Sequence, residues 1–176
     1  MTDLIIDRAT HPDAVAVVAL LDQAAAWLES RGIDQWRRGQ FVEEVNQTLS
    51  NRDLFVAREG RAVVGCFMLD DGSPRLSRWL VACGQAPTRG VVGRLAVARE
   101  TAGRGLGVEL LNAATEVAAR RGIAFARLEC PSESAGLRRF YLGAGFTYLG
   151  DNDIPGPNGE PWISSVFERP TGVESS

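Results

Sequence analysis

Residues 91–111 read VVGRLAVARETAGRGLGVELL, and this stretch decides the fold. Val91 to Val97 is an apolar run with strand character. A short polar link follows, then Gly103-Arg104-Gly105-Leu106-Gly107, and at once the apolar spacing of a helix. A strand that passes through alternating glycines into a helix start is suited to binding phosphate. Small residues let an anion approach the backbone, and the unpaired N–H groups of the first helical turn point at it. The macrodipole adds up to ~2 kcal/mol per favourable contact in partly buried geometry. Glycine pairs also make ordinary turns, so the strand-loop-helix context carries the argument.

Working outward, residues 134–146 read SAGLRRFYLGAGF and place Leu137, Phe140, Tyr141 and Ala144 at helical spacing on one face. Gly145 ends that short helix and an apolar strand follows. Together the two segments resemble the GNAT acetyltransferase superfamily, and element order and spacing agree over roughly residues 4–168. Two positions depart from the family pattern. Ala102 stands where Gln or Arg is usual, and Ser134 where Asn is usual. The first should matter little, because such a loop holds phosphate through backbone N–H groups. The second removes a side-chain amide, though a serine can still cap the helix.

The resemblance implies an α+β fold: a mixed, mostly antiparallel sheet with a splayed parallel strand pair, flanked by helices. It implies acetyl-CoA as co-substrate, with the pyrophosphate on Ala102, Gly103, Arg104, Gly105, Leu106 and Gly107. The pantetheine arm would pair with the backbone of Leu95, Ala96 and Val97, as an added strand would. Ser134 is a further cofactor contact, and Tyr141 matches the acid that protonates the departing thiolate. Arg104, Arg138 and Arg139 are within the reach expected for cofactor phosphates.

Acyl transfer to an amine needs more than an acid. An alkylammonium near pKa 10.4 costs about 4–5 kcal/mol to deprotonate at pH 7. Relatives carry a carboxylate on the strand before the loop, and Arg94 stands there instead. Asp34, Glu43, Glu44 and Glu129 are the candidate bases, acting directly or through water, and a chain of ordered waters with no single protein base is the alternative. The acceptor site is expected between the 32–40 connection and the irregular 70–89 segment. Asp34, Trp36 and Trp79 are its candidate residues, and Asp70-Asp71 would add a negative field. The core is the competing place for either tryptophan.

The rest of the chain bounds these readings. Its 176 residues can bury about 70% of their unfolded surface, enough for one sizeable core. Residues 1–170 read as a single domain and 171–176 as a disordered tail. Leu4–Arg8 is a strand, Asp13–Arg31 a helix, and a shorter helix has Val42, Val45 and Leu49 inward. Net charge is −3, every one of the 19 basic residues is arginine, and no stretch forms a nucleic-acid-binding field. Cys66, Cys83 and Cys130 have neither metal nor disulfide spacing, and the lone His11 has no second histidine, so no metal is expected. With no signal segment and no membrane span, the expected location is the cytoplasm. The expected partner is a small-molecule or peptide amine, and a homodimer is allowed for. The reading is an N-acetyltransferase working by direct transfer. The alternatives are another acyl-CoA, a hydroxyl acceptor, or a non-catalytic CoA-binding regulatory module.

Overall fold

In the computed structural model, which describes residues 4–87, 89–155, 159 and 161–174, strands and helices alternate as the apolar periodicity predicts. The order is β1 (Leu4–Arg8), α1 (Ala14–Ser30), α2 (Phe41–Ser50), β2 (Leu54–Glu59), β3 (Ala62–Asp70), α3 (Pro74–Ala82), β4 (Val91–Val97), α4 (Leu106–Arg120), β5 (Phe125–Pro131), α5 (Ala135–Gly143), β6 (Thr147–Asn152) and β7 (Ser164–Pro170). The strands form one sheet in the order β1-β2-β3-β4-β5-β7-β6. Pairs β1–β2, β2–β3, β5–β7 and β6–β7 are antiparallel. The parallel pair β4–β5 is held at one register position, Val91 opposite Arg127, as expected of a splayed pair. No helix among the described residues is long and apolar enough to cross a membrane.

Backbone contacts group the chain into two compact units, residues 1–68 with 94–113, and 69–93 with 114–176. In the first, α1 buries Val17, Leu20, Leu21, Ala25 and Leu28. Thr10 and Asp13 form a capping box at the entry, with Pro12 between them. Thr10 donates its N–H to Asp13 at 2.7 Å, and Arg58 Nη2 donates to the same carboxylate at 2.6 Å. Burial alone would raise the Asp13 pKa, but these hydrogen bonds outweigh it and hold the group below the usual range. The inward face of α2 is Phe41, Val45 and Thr48, whereas Val42 is exposed. The expected stripe is therefore turned by about one residue, because Phe41 buries far more apolar area than Val42. Gly65 is required by close approach. A Cβ there would lie 2.9 Å from Leu110 Cδ1 and 3.3 Å from the Ala96 carbonyl oxygen.

In the second unit, the 70–89 segment, read from the sequence as irregular, contains α3. Ser73 caps it by accepting the Leu76 N–H at 3.1 Å, and Pro74 takes the first position. Leu76, Trp79 and Leu80 then pack with Val91 and Val166 into a core. Trp79 is 8% exposed and donates its indole N–H to the Asp151 carbonyl at 3.1 Å. It is packed in the core, the place that competes with the acceptor wall for this side chain. Thr171, assigned by the sequence to a loose tail, is tied to β5 by its N–H to the Ala124 carbonyl at 2.9 Å. Residues 175 and 176 lie outside the described residues.

Candidate active site

In the first unit, β4 leads through a 3-10 turn at Arg99–Thr101 into the glycine loop and α4. Thr101 is buried and its hydroxyl donates to the Ala98 carbonyl at 2.8 Å, which pins the turn. Gly103 and Gly105 both have φ of +81°, a conformation that favours glycine. No protein atom lies within 4 Å of where a Cβ would sit on either, so the space above the loop is open. The N–H groups divide into two sets. Those of Ala102 and Arg104 are spent on the carbonyls of Arg99 and Thr101, at 3.2 and 3.3 Å. Those of Gly103, Gly105, Leu106 and Gly107 have no partner among the described residues. The Arg104 side chain does not face open space alone, since it donates to Glu59 at 2.6 and 3.2 Å.

Leu95, Ala96 and Val97 lie on β4 with Ala96 buried and its neighbours half-buried. Arg94, just before them, has φ of +49°. Its Nε donates to both oxygens of Glu44, at 3.1 and 3.0 Å. Its guanidinium lies over the rings of Trp36 and Phe41, each 5.4 Å from centroid to Cζ. Trp36 and Phe41 meet edge to face at 6.0 Å. Trp36 thus belongs to a cluster around Arg94. Asp34 stays on the surface, 3.8 Å from Arg37. Glu43 is exposed on the far face of α2. Cys66 is fully buried and its thiol is pushed up to about 12, which makes it inert as a nucleophile.

In the second unit, α5 buries Tyr141 against Phe140, Phe146 and Phe167, with ring centroids 5.3, 6.4 and 5.7 Å away. Its hydroxyl has no hydrogen-bond partner among the described residues, and burial, followed by the nearby Cys130, raises its pKa. Cys130 itself is pushed up to about 11 by burial. Ser134 occupies the N-cap position of α5 without a side-chain capping bond, which leaves its hydroxyl uncommitted. Arg138 donates to the Ser132 carbonyl at 3.3 Å and lies over Tyr148, whereas Arg139 is exposed. Asp70 accepts the Gly72 N–H at 2.7 Å, and Asp71 lies 4.0 Å from Arg89.

Glu129 on β5 sits in a polar centre that sequence reasoning missed. Arg75, 7% exposed on α3, donates to the carbonyls of Ile154, Asn152 and Trp162 and to the Ser164 hydroxyl. It approaches Glu129 Oε1 at 3.5 Å and lies over the Trp162 ring at 4.8 Å. Glu129 Oε2 is buried with no partner among the described residues. Burial raises the Glu129 pKa, opposed by Arg75 and Ser164. The usable signal was the Ser73-Pro74 helix start. It would have placed Arg75 one position from the inward-facing Leu76.

Comparison with known proteins agrees with this anatomy. Residues 21–146 match the model of the acetyltransferase (GNAT) family. The chain is 29% identical over 150 residues to the uncharacterized N-acetyltransferase YesJ of Bacillus subtilis (strain 168), covering 81% of each protein. Its fold is that of a GNAT family acetyltransferase from Listeria monocytogenes 4b F2365, with TM-score 0.74, 19% identity, and coverage of 95% of this chain and 94% of that one. It also matches yncA of Salmonella typhimurium, solved with its cofactor acetyl-CoA, with TM-score 0.69, 17% identity, and coverage of 98% and 96%. With the family model spanning well over half of the sequence, the chain belongs to the GNAT acetyltransferase family and is an acyltransferase.

Proposed function

We propose that the protein transfers an acetyl group from acetyl-CoA directly to a primary amine of a small molecule or peptide, in the cytoplasm. The observation that carries this reading is the set of unpartnered N–H groups at Gly103, Gly105, Leu106 and Gly107, under open space at a helix N-terminus. A pyrophosphate fits that set in charge and in hydrogen-bonding capacity. Leu95, Ala96 and Val97 would hold the pantetheine amides through the backbone, and the Ser134 hydroxyl is free to donate. Acetyl-CoA supplies an acyl group already activated as a thioester.

The chain's own residues manage the protons. Glu129 takes the proton that the acceptor ammonium must shed, and its raised pKa makes it a stronger base than an ordinary carboxylate. Asp34 and Glu43 are surface groups, and Glu44 is committed to Arg94. Tyr141 gives a proton to the sulfur as the carbon–sulfur bond breaks. A phenol held above its ordinary range keeps that proton through neutral pH and yields it only uphill. Free unpaired cysteines fit a reducing compartment.

The test is calorimetric binding of acetyl-CoA, followed by thiol release with a panel of amines. Saturable binding with amine-dependent thiol release supports the reading. Binding without release from any amine would favour a regulatory CoA-binding module, and no binding would sink both.

A further inference from the structure

We propose that Arg94 anchors an anionic group of the acceptor, so that the substrate is an amine that also carries a carboxylate. The inference rests on the acetyl-transfer reading above and names its substrate class. The first observation is conformational. Arg94 has φ of +49° in the middle of β4, a region that L residues other than glycine enter at a cost of roughly 1–2 kcal/mol. Such conformations persist where the surrounding structure enforces them, and they cluster at ligand sites.

The second observation is how the guanidinium is held. Glu44 grips only Nε, with both of its oxygens. Trp36 and Phe41 support the planar group, each 5.4 Å from Cζ. The side chain is 25% exposed, and Nη1 and Nη2 have no partner among the described residues. That leaves Nη1 and Nη2, the outer edge of the fork, uncommitted among the described residues, on a planar group held by Glu44 and the two rings. This edge matches a carboxylate in bidentate geometry. The other half-buried arginine described in the unit is closed: Arg58 spends Nη1 on Asp7 and Nη2 on Asp13.

The third observation is that the acidic groups of the opposite reading, a field that draws in a bare cationic amine, each have a partner of their own. Asp34 lies beside Arg37, Asp71 beside Arg89, and Asp70 accepts a backbone N–H. An anion could also come from a cofactor phosphate, and the experiment separates the two sources.

The protein, saturated with CoA, is titrated with N-acetyl amino acids of small, aliphatic, aromatic, acidic and basic side chain, each paired with its C-terminal amide. Calorimetry and Trp36 emission, assigned with Trp36→Phe, read the binding. The best acid should bind at least about tenfold more tightly than its amide, the discrimination expected of a charge-assisted pair. In Arg94→Met that preference should collapse to within about twofold, with Arg94→Lys restoring part of it and acetyl-CoA affinity unchanged. Equal binding of acid and amide, no binding of any acid, or a preference that survives in Arg94→Met overturns the proposal. So does an Arg94→Met protein whose main defect is in acetyl-CoA affinity, which would assign the arginine to a cofactor phosphate. Should Arg94→Met fail to fold, the acid–amide comparison in the unmodified protein still decides. Wild-type protein that ignores acetyl-CoA would instead defeat the parent reading.

Discussion

Two arginines set the two units apart. Arg75 is 7% exposed and every nitrogen of its guanidinium has a partner, three of the acceptors being backbone carbonyls. Arg94 is 25% exposed, and among the described residues only its Nε is hydrogen-bonded. A closed cation organises its surroundings, and removing it leaves buried acceptors and a carboxylate uncompensated. A half-engaged cation on aromatic support contributes little to stability beyond its packing and keeps its binding capacity. The difference teaches that burial of charge identifies framework, while incomplete pairing of a held charge identifies a site. If the contrast is right, mutations around Arg75 should change stability and turnover, and mutations around Arg94 should change acceptor binding.

The largest effect is expected at Tyr141, in the closed unit. Tyr141→Phe should lower kcat by about two to four decades, the range for a lost general acid, with acetyl-CoA affinity within a few-fold. Because burial raises the tyrosine pKa, the wild-type profile should show no loss of activity from Tyr141 ionisation below about pH 10. Steady-state thiol release across pH checks both. A fully active variant would assign Tyr141 to packing among Phe140, Phe146 and Phe167.

Next comes the direct test of the contrast. Arg75→Met should cost about 3–5 kcal/mol, the range for breaking a buried pair, because Glu129 and three carbonyls lose their donor. Arg94→Met should stay within about 1 kcal/mol, as partly exposed pairs do. Urea denaturation of both variants decides. Equal losses would erase the distinction between framework and site.

A smaller effect is expected at the glycine loop. Gly105→Val should weaken acetyl-CoA binding at least about tenfold by calorimetry. A β-branched residue at φ of +81° strains the nest of N–H groups and fills the open space above it. Wild-type affinity with intact circular dichroism would move the pyrophosphate elsewhere.

The smallest effect on stability concerns Glu129, whose loss as the proposed base would be read separately in turnover. Its folded pKa lies above its unfolded value, so the native state binds the proton more tightly than the unfolded chain does. Stability should therefore fall as pH rises from the ordinary glutamate range through the raised pKa, and Glu129→Gln should flatten that slope. Asp13 works in the opposite sense. Its folded pKa is depressed, so its contribution is present above the unfolded value and is lost as pH falls through the folded one. Denaturation midpoints between about pH 2 and 8 separate the two groups, with the Asp13 loss at the acid end and the Glu129 loss above the ordinary glutamate range.

Much of this anatomy was legible before any coordinates. Residues 91–111 specified the strand, the glycine turn and the helix, since a period-two run, φ-permissive residues and a 3.6-residue period each have a local cause. The apolar spacing after the glycine loop is met by a buried face of Leu106, Leu110, Leu111, Ala114, Val117 and Ala118. The helix at Pro74–Ala82 was overlooked, although Ser73-Pro74 and the spacing of Leu76, Trp79 and Leu80 announce it. Asp70-Asp71-Gly72 before it, Pro74 at its first position and Pro87 beyond it are also loop-forming residues, and they mask the helical spacing.

What the sequence determined by itself was local: where the chain bends, which faces are apolar, and where an anion could meet unpaired N–H groups. Tertiary structure alone decided the fate of the charged and aromatic side chains. Nothing in the run Pro74-Arg75-Leu76 says that an arginine will be enclosed by the carbonyls of residues 152, 154 and 162. Nothing in Gly93-Arg94-Leu95 signals a left-handed backbone or a grip by Glu44, 50 positions away. Long polar side chains have no preferred environment until partners distant in sequence arrive, so their roles are set by packing rather than by pattern.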